Sequence, residues 1–468
     1  MKKIVINPIT RISGFMEIET YIENNRVADA KTEGLLFRGF ELMLKGRPPM
    51  DAVYFTQRIC GICSTAHSLA STLALEQAFG VVPSEQGRYL RDIMHGCEFL
   101  QNHIRHFYQY TVPDFVLLPD YSPLFEANGR DFRLPKERND LIARHYFDSL
   151  TLSRNAHKML AILGGKAPHN HGVFIGGATA QATVDKIVAI KSILHEISRF
   201  IDACMVPDVY MIAQYYSDYY QIGSGYRNLL SFGCFNGYKE LGTLYVDPLV
   251  YINGKISPLD PEGIAENTQY SFYSDTPETY RPFETISSDA PKKKDAYSWV
   301  KAPRYYGYPC EVGPLARLWL TGEYRRGIST MDRTIARVLE AKKIAGILDT
   351  LLSNLLPDGF TQSQYEVPQN AKGMGLKDTT RGALGHWLEI ADQVISLYQI
   401  ITPSAWNLST QTENSKGTAE MSLIGTYVED ADNPVELGRI LRSFDPCISC
   451  ATHVYTQGNE ARTFKVVP

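Results

Sequence analysis

The first 35 residues alternate apolar and polar positions, in KKIVINPIT and again in GFMEIETYIENNRVADAKTEG. A period of two predicts a small antiparallel sheet at the start of the chain. From residue 87 the apolar positions recur every three to four residues, beginning with GRYLRDIMHGCEFLQNHIRHFYQYT. That spacing predicts a helix here and further helices over about 138–164 and about 182–221. Another helical block is predicted over about 325–356, and one near 386–400, after RGALGHW. Between about 222 and 320 the chain is rich in Gly, Pro, Tyr and Ser, which predicts short strands and loops packed over a helical core. There is no internal repeat and no low-complexity segment, and the basic run PKKKDAY reads as a solvated loop. The fold class that follows is mainly α, in an α+β sense: a long-helix bundle core with a small N-terminal antiparallel sheet and peripheral short strands.

Composition narrows this only a little. The chain has 468 residues, 44% apolar and 21% charged, which suits one large globular domain or two to three ordinary ones. A net charge of −4 gives no reason to expect nucleic acid or an anionic membrane surface as partner. The start, MKKIVINPITRISG, lacks the apolar run of a signal peptide, and no apolar stretch is long enough to span a bilayer. A place outside the cytoplasm would therefore need another chain to carry this one there.

The eight cysteines change the picture. Cys97, Cys204, Cys234 and Cys310 are isolated, and the plain expectation for each is a small buried hydrophobe. The other four form two C-x-x-C pairs at opposite ends of the chain. RICGICSTAH holds Cys60 and Cys63 with His67; FDPCISCATH holds Cys447 and Cys450 with His453. Four thiolates make a soft site that suits zinc, an iron–sulfur cluster, or nickel or iron. A four-thiolate zinc site usually has its pairs close together in sequence, and an ordinary cluster site leaves the two histidines unexplained. Zinc, a redox metal and two unrelated pairs all remain open on spacing alone. The pairs flank the predicted helices in sequence, so the bundle core could bring them together.

Beyond spacing, RICGICSTAH with DPCISCATH resembles the paired signatures of the nickel–iron hydrogenase large subunit. The likeness runs through NPITRISG, LFRGFE, QNHIRHFYQY, GGKAPHNHGVFIGGAT, YSWVKAPRYYGYPCEVGPLARL, TTRGALGHW, TPSAWN and SLIGTYVEDADNPVELGRILRSFDPC. The SAWN and SLIGT segments are most similar to the respiratory, membrane-associated uptake group. The resemblance implies a subunit that splits H2 reversibly into protons and electrons, chiefly in the direction of uptake. Cys60 and Cys447 would be terminal nickel ligands, and Cys63 and Cys450 would bridge nickel to an iron that carries carbon monoxide and cyanide. A basic terminal thiolate can take the proton when hydrogen splits heterolytically. His67 would hydrogen-bond a bridging sulfur. Arg381 would set its guanidinium over the open metal side, where an isolated arginine would otherwise be read as a surface residue. Ser404, with the backbone near Arg381, would donate to the cyanides, and Thr380 lines the same pocket. Glu41, the Ile400 carbonyl and His453 would hold magnesium, although Glu41 alone reads as a surface carboxylate. In the family the precursor is cut after His453. The implied organisation is one domain over 1–453 and a maturation tail over 454–468, which by pattern alone reads as a terminal strand.

Partners follow from the cysteine arithmetic. Electrons leave singly, and the four isolated cysteines have no cluster spacing, so an iron–sulfur small subunit must carry the clusters. The resemblance gives that subunit a twin-arginine signal, which would export the heterodimer to the membrane, facing the periplasm or cell exterior; a cytoplasmic site is the alternative. A membrane cytochrome or other acceptor, a maturation endopeptidase and metal-insertion proteins complete the set. Three positions depart from the family pattern. Ser13 stands where a proton-passing glutamate is usual, Asn102 where an aspartate is common, and Thr380 where proline is usual. A hydrogen sensor usually lacks the tail, and a metal-free quinone-linked relative lacks the cysteine pairs, so both fit this chain less well.

Overall fold

A computed structural model describes residues 2–119, 131–242, 244–274, 278–284 and 288–448. The predicted N-terminal sheet is present: Lys2–Ile6, Met16–Glu23 and Arg26–Gly34 pair antiparallel in sequence order. Met16, Ile18, Thr20 and Ile22 point to the buried face, as a period of two requires. Asn24 and Asn25 take φ of 49° and 59° and close the hairpin between the last two strands, a conformation asparagine tolerates better than most residues.

The expected helices follow. Glu85–Arg105 is capped by Ser84, whose Oγ accepts from the Gly87 N–H at 3.1 Å. It runs on through a π-helical turn, His106–Thr111. Lys136–Gly164 and Thr330–Ser353 pack against it, and Val184–Phe200 packs against both of those. Together they bury one apolar core that includes Ile93, Phe99, Leu160, Leu194, Ile335 and Leu348. The segment expected as one helix over about 182–221 passes through a second π-helical turn, Ile201–Met205, before Val206–Tyr215. The Gly- and Pro-rich middle forms small sheets, as expected, among them Leu229–Ser231, Leu249–Ile252, Lys255–Pro258 and Glu311–Val312.

Two expectations are corrected. The stretch 386–400 is not a helix. Ala371–Thr379, Gly382–Ala391 and Val394–Ile401 form a three-stranded antiparallel sheet, and Asp392 and Gln393, at φ 52° and 61°, close its second hairpin. The helix Ser64–Phe79 lies on one face, and an apolar group with Trp387, Ile401 and Trp406 covers the other. A strand buried on both faces loses the alternation that marks a strand, and its apolar run then resembles a buried helix. The helix can lie this close because Gly373 and Gly375 face it: a Cβ there would stand 2.0 Å from the Ala74 and Ala70 carbonyl oxygens respectively.

The second correction concerns where the cysteines meet. Cys60, Cys63 and Cys447 do not lie in the helix-bundle core. They belong to a separate apolar core with Leu44, Ile59, Ala66, Leu384 and Ile400, between that helix and that sheet. No helix among the described residues is long and apolar enough to cross a membrane.

Candidate metal centre

Each thiol is set by a local turn. Cys60 leaves the short helical turn Gln57–Ile59 in extended conformation, φ −149°, and its Sγ accepts from the Ile62 N–H at 3.2 Å. Cys63 is the N-cap of Ser64–Phe79. Cys447 follows Val435–Ser443 through a turn in which Asp445 takes φ 56°. The first strand region steadies this turn: Ser13 N–H donates to the Pro446 carbonyl at 3.1 Å, and Ile448 N–H to the Ser13 carbonyl at 2.7 Å. Ser404 Oγ accepts from the Cys447 N–H at 2.9 Å. The result brings Cys60 Sγ to 3.3 Å from Cys447 Sγ, with all three sulfurs within 4.8 Å of one another and buried. Among the described residues this is the only such cluster of histidine, cysteine and carboxylate donors. Cys450, His453 and the tail 454–468 lie outside the described residues.

Over the thiols sits a buried charged group. Arg381 Nε donates to the Asp445 carbonyl at 2.9 Å, and its Nη2 to Asp445 Oδ1 at 3.0 Å and to Asn102 Oδ1 at 2.8 Å. Asp445 Oδ2 accepts from Asn102 at 2.8 Å and from Arg337 at 3.2 Å. Burial alone would discharge Arg381, but Asp445 and then the Cys447, Cys63 and Cys60 thiols raise its pKa well above the usual arginine value. The guanidinium is held by Asp445 and Asn102, near enough to the three sulfurs to feel their charge. Asp445 is pushed up by burial and more than pulled back by Arg381, His106 and Arg337, so it stays ionised. Thr380 is buried beside Arg381, its Oγ1 3.4 Å from Nη1.

The remaining expected residues fall at two flanks. His67 is buried on the thiol-side helix, and its pKa is lowered to about 4 by burial although Cys60 pulls it up, so the ring is neutral. Glu41, on Phe40–Leu44, accepts the Ile400 N–H at 2.9 Å. Its other oxygen lies 3.5 Å from the Lys301 ammonium, which also pairs with Glu266 at 3.1 Å.

Several residues in the site were not singled out from sequence. Asp445 and Arg337 complete the charged group, and Asp445 directly precedes Pro446–Cys447, which was a usable signal. Glu98, on Glu85–Arg105, caps the thiol-side helix by accepting the Thr65 N–H at 2.7 Å and the Ala66 N–H at 3.2 Å. Burial lifts its pKa to about 8 against those bonds. An acid on a helix face with Arg91, His95, Gln101 and Asn102 gave no clear sign in the sequence of this role.

The donor set fits a nickel–iron centre: soft, buried sulfurs from both motifs, with a cation held above them. A family model described as nickel-dependent hydrogenase matches residues 38–122, 120–327 and 321–453. The chain is similar to the periplasmic [NiFeSe] hydrogenase large subunit of Desulfomicrobium baculatum, at 36% identity over 97% of this chain and 95% of that one. It is also similar to the hydrogenase-2 large chain of Escherichia coli strain K12, at 31% identity over the full length of both. In three dimensions it matches the reduced Ni-Fe-Se hydrogenase of D. vulgaris Hildenborough with a TM-score of 0.93 and 37% identity, covering 97% of this chain and 100% of that one. Where those names include selenium, this chain has cysteine at all four motif positions.

Proposed function

The chain belongs to the nickel-dependent hydrogenase family and catalyses the reversible heterolytic cleavage of H2, and from that premise we infer how its residues divide the work. The single observation that supports the division is the convergence of three buried thiols from both ends of the chain beneath one buried guanidinium. The nickel–iron centre, with carbon monoxide and cyanide on iron, supplies the hydrogen-splitting chemistry when bound. Cys60 and Cys447 would hold nickel, and Cys63 and Cys450 would hold both metals. The Cys447 sulfur would take the proton, as a terminal thiolate can when hydrogen splits heterolytically. Arg381 fixes a positive charge over the open side without reorganising, as a preorganised donor does. Ser404, whose oxygen already accepts from the Cys447 amide, would give its O–H to a cyanide, and Thr380, beside Arg381, would line the same pocket. Glu41, the Ile400 carbonyl and His453 would hold magnesium, which takes few protein oxygens and keeps several waters.

Ser13, whose backbone pairs with that of Cys447, would pass the proton onward through a water to another acid. Electrons leave through an iron–sulfur small subunit, and the heterodimer works in the uptake direction at the membrane, facing the periplasm or exterior. A periplasmic relative supports the location. The tail after His453 is removed during maturation, which the intact mass of active enzyme would reveal. The decisive experiment combines metal analysis, infrared spectra and H2 oxidation on one purified heterodimer. One nickel and one iron per chain with carbon monoxide and cyanide bands are expected; zinc without nickel in an active preparation would overturn the reading.

A further inference from the structure

His67 does not stand alone behind the thiols. Its Nδ1 lies 3.1 Å from His386 Nε2, and His386 Nδ1 lies 2.8 Å from the Tyr398 hydroxyl. His386 and Tyr398 come from adjacent strands of the three-stranded sheet. His386 pairs with Ile400 and Leu388 pairs with Tyr398, so the two side chains are diagonal neighbours on one face. That face meets the thiol-side helix, which carries His67. All three side chains are buried.

Burial keeps both imidazoles neutral, lowering His67 to about 4 and His386 well below the usual histidine value, the latter also repelled by His67. A neutral imidazole has one N–H and one bare nitrogen. A chain of two rings and a phenol therefore has two consistent directions. In one, Tyr398 donates to His386 Nδ1, His386 Nε2–H donates to His67 Nδ1, and the His67 proton sits on Nε2. In the other every proton is reversed and His67 Nε2 is bare. The reading of His67 as facing a bridging sulfur separates them: a lone pair turned toward electron-rich sulfur is repelled, whereas an N–H is attracted. Burial also raises the Tyr398 pKa, so the phenol keeps the proton it must donate.

We propose that His386 and Tyr398 are positioning residues, a donor relay that locks His67 in the Nε2–H tautomer and so aims a hydrogen-bond donor at the sulfur cluster. This rests on the reading of His67 as a donor to a bridging sulfur. Partners one step beyond a metal's ligands commonly change affinity or activity by about 10- to 100-fold when removed. Tyr398→Phe lets the pair take either direction, and His386→Leu breaks it; each lowers H2 oxidation by about tenfold and moves the carbon monoxide band of the purified heterodimer, with nickel and iron content unchanged. His386→Gln, which keeps an N–H for His67, restores most of the rate and the band position. Adding Tyr398→Phe to His67→Ala produces no further change, because the phenol acts only through His67. If His67→Ala moves the bands but Tyr398→Phe and His386→Leu do not, the relay is overturned while the role of His67 stands. If His67→Ala itself leaves the bands in place, the reading of His67 fails and takes the relay with it. An additive double variant, or a His386→Gln variant no better than His386→Leu, also overturns the proposal.

Discussion

Two buried arginine groups in this molecule look alike and are built to opposite charge. In the group over the thiols, the guanidiniums of Arg381 and Arg337 face a single carboxylate, Asp445. Asn102, whose Oδ1 accepts from both Arg381 and Arg105, is neutral. In the second group, one guanidinium, Arg317, faces two carboxylates. It takes Glu340 in a fork with both bonds at 2.7 Å and Asp378 Oδ2 at 2.9 Å, and its nitrogens also donate to the Thr379 and Thr380 carbonyls. Glu340 accepts in addition from the Tyr245 hydroxyl at 2.5 Å and lies 2.8 Å from His103. The second group holds one carboxylate more than cations, and burying its ions is tolerable because each is paired and bonded. The first holds one cation more than carboxylates: burial and Arg381 lower Arg337 to about 10 against the pull of Asp445 and, from the second group, Glu340. Surplus buried cation is expensive unless an anion answers it, and metal-bound thiolates would supply that anion. The excess of cation thus lies beside the thiols, and the excess of carboxylate lies away from them.

Removing the anions is the harshest way to break this comparison. Cys63→Ser or Cys450→Ser is expected to lose both metals and all H2 oxidation, read by metal analysis and assay on the same protein. Retention of both metals in either variant would remove that cysteine from the bridging role. Removing the cation comes next. Arg381→Leu should lower the rate by about a hundredfold to a thousandfold, the scale for one preorganised charge, with metal content unchanged. A rate within a few-fold of the parent would leave the surplus charge without a catalytic task. Ser13→Ala tests the exit beyond the thiol: hydrogen–deuterium exchange should fall by roughly a hundredfold, metals intact, while Ser13→Glu keeps or raises the rate. Exchange at the parent rate in Ser13→Ala excludes the serine.

The second group should answer through stability instead. Arg317→Met strands two buried carboxylates and should destabilise the chain by about 3–5 kcal/mol in chemical denaturation, while the infrared bands of the folded fraction stay put. Shifted bands would mean that the two groups act as one, through the Thr379 and Thr380 carbonyls that Arg317 holds. The smallest effect sharpens the contrast. Asn102→Asp supplies the missing carboxylate to Arg381 and Arg105 and should change the rate only several-fold, because Asp445 already holds Arg381 in place. A loss as large as that of Arg381→Leu would show that the surplus charge itself, rather than the position of Arg381, drives the rate.

What could be read from the chain alone was whatever is written in contiguous residues. The Met16–Gly34 hairpin declared itself by alternation, the long helices by a three-to-four-residue period, and the thiols, His67 and Arg381 by motifs a few residues long. These signals are local because backbone periodicity and turn chemistry are local. Only the tertiary structure decided the rest. The stretch 386–400 passed for a helix because both faces of its sheet are buried, and what covers a face is not encoded within the strand. The charged group joins Asn102, Arg337, Arg381 and Asp445 from four separate segments. A buried acid such as Glu98 or Asp445 looks the same in sequence as a solvated one. Its meaning depends on burial and on which charges face it, and both of these are set by long-range packing.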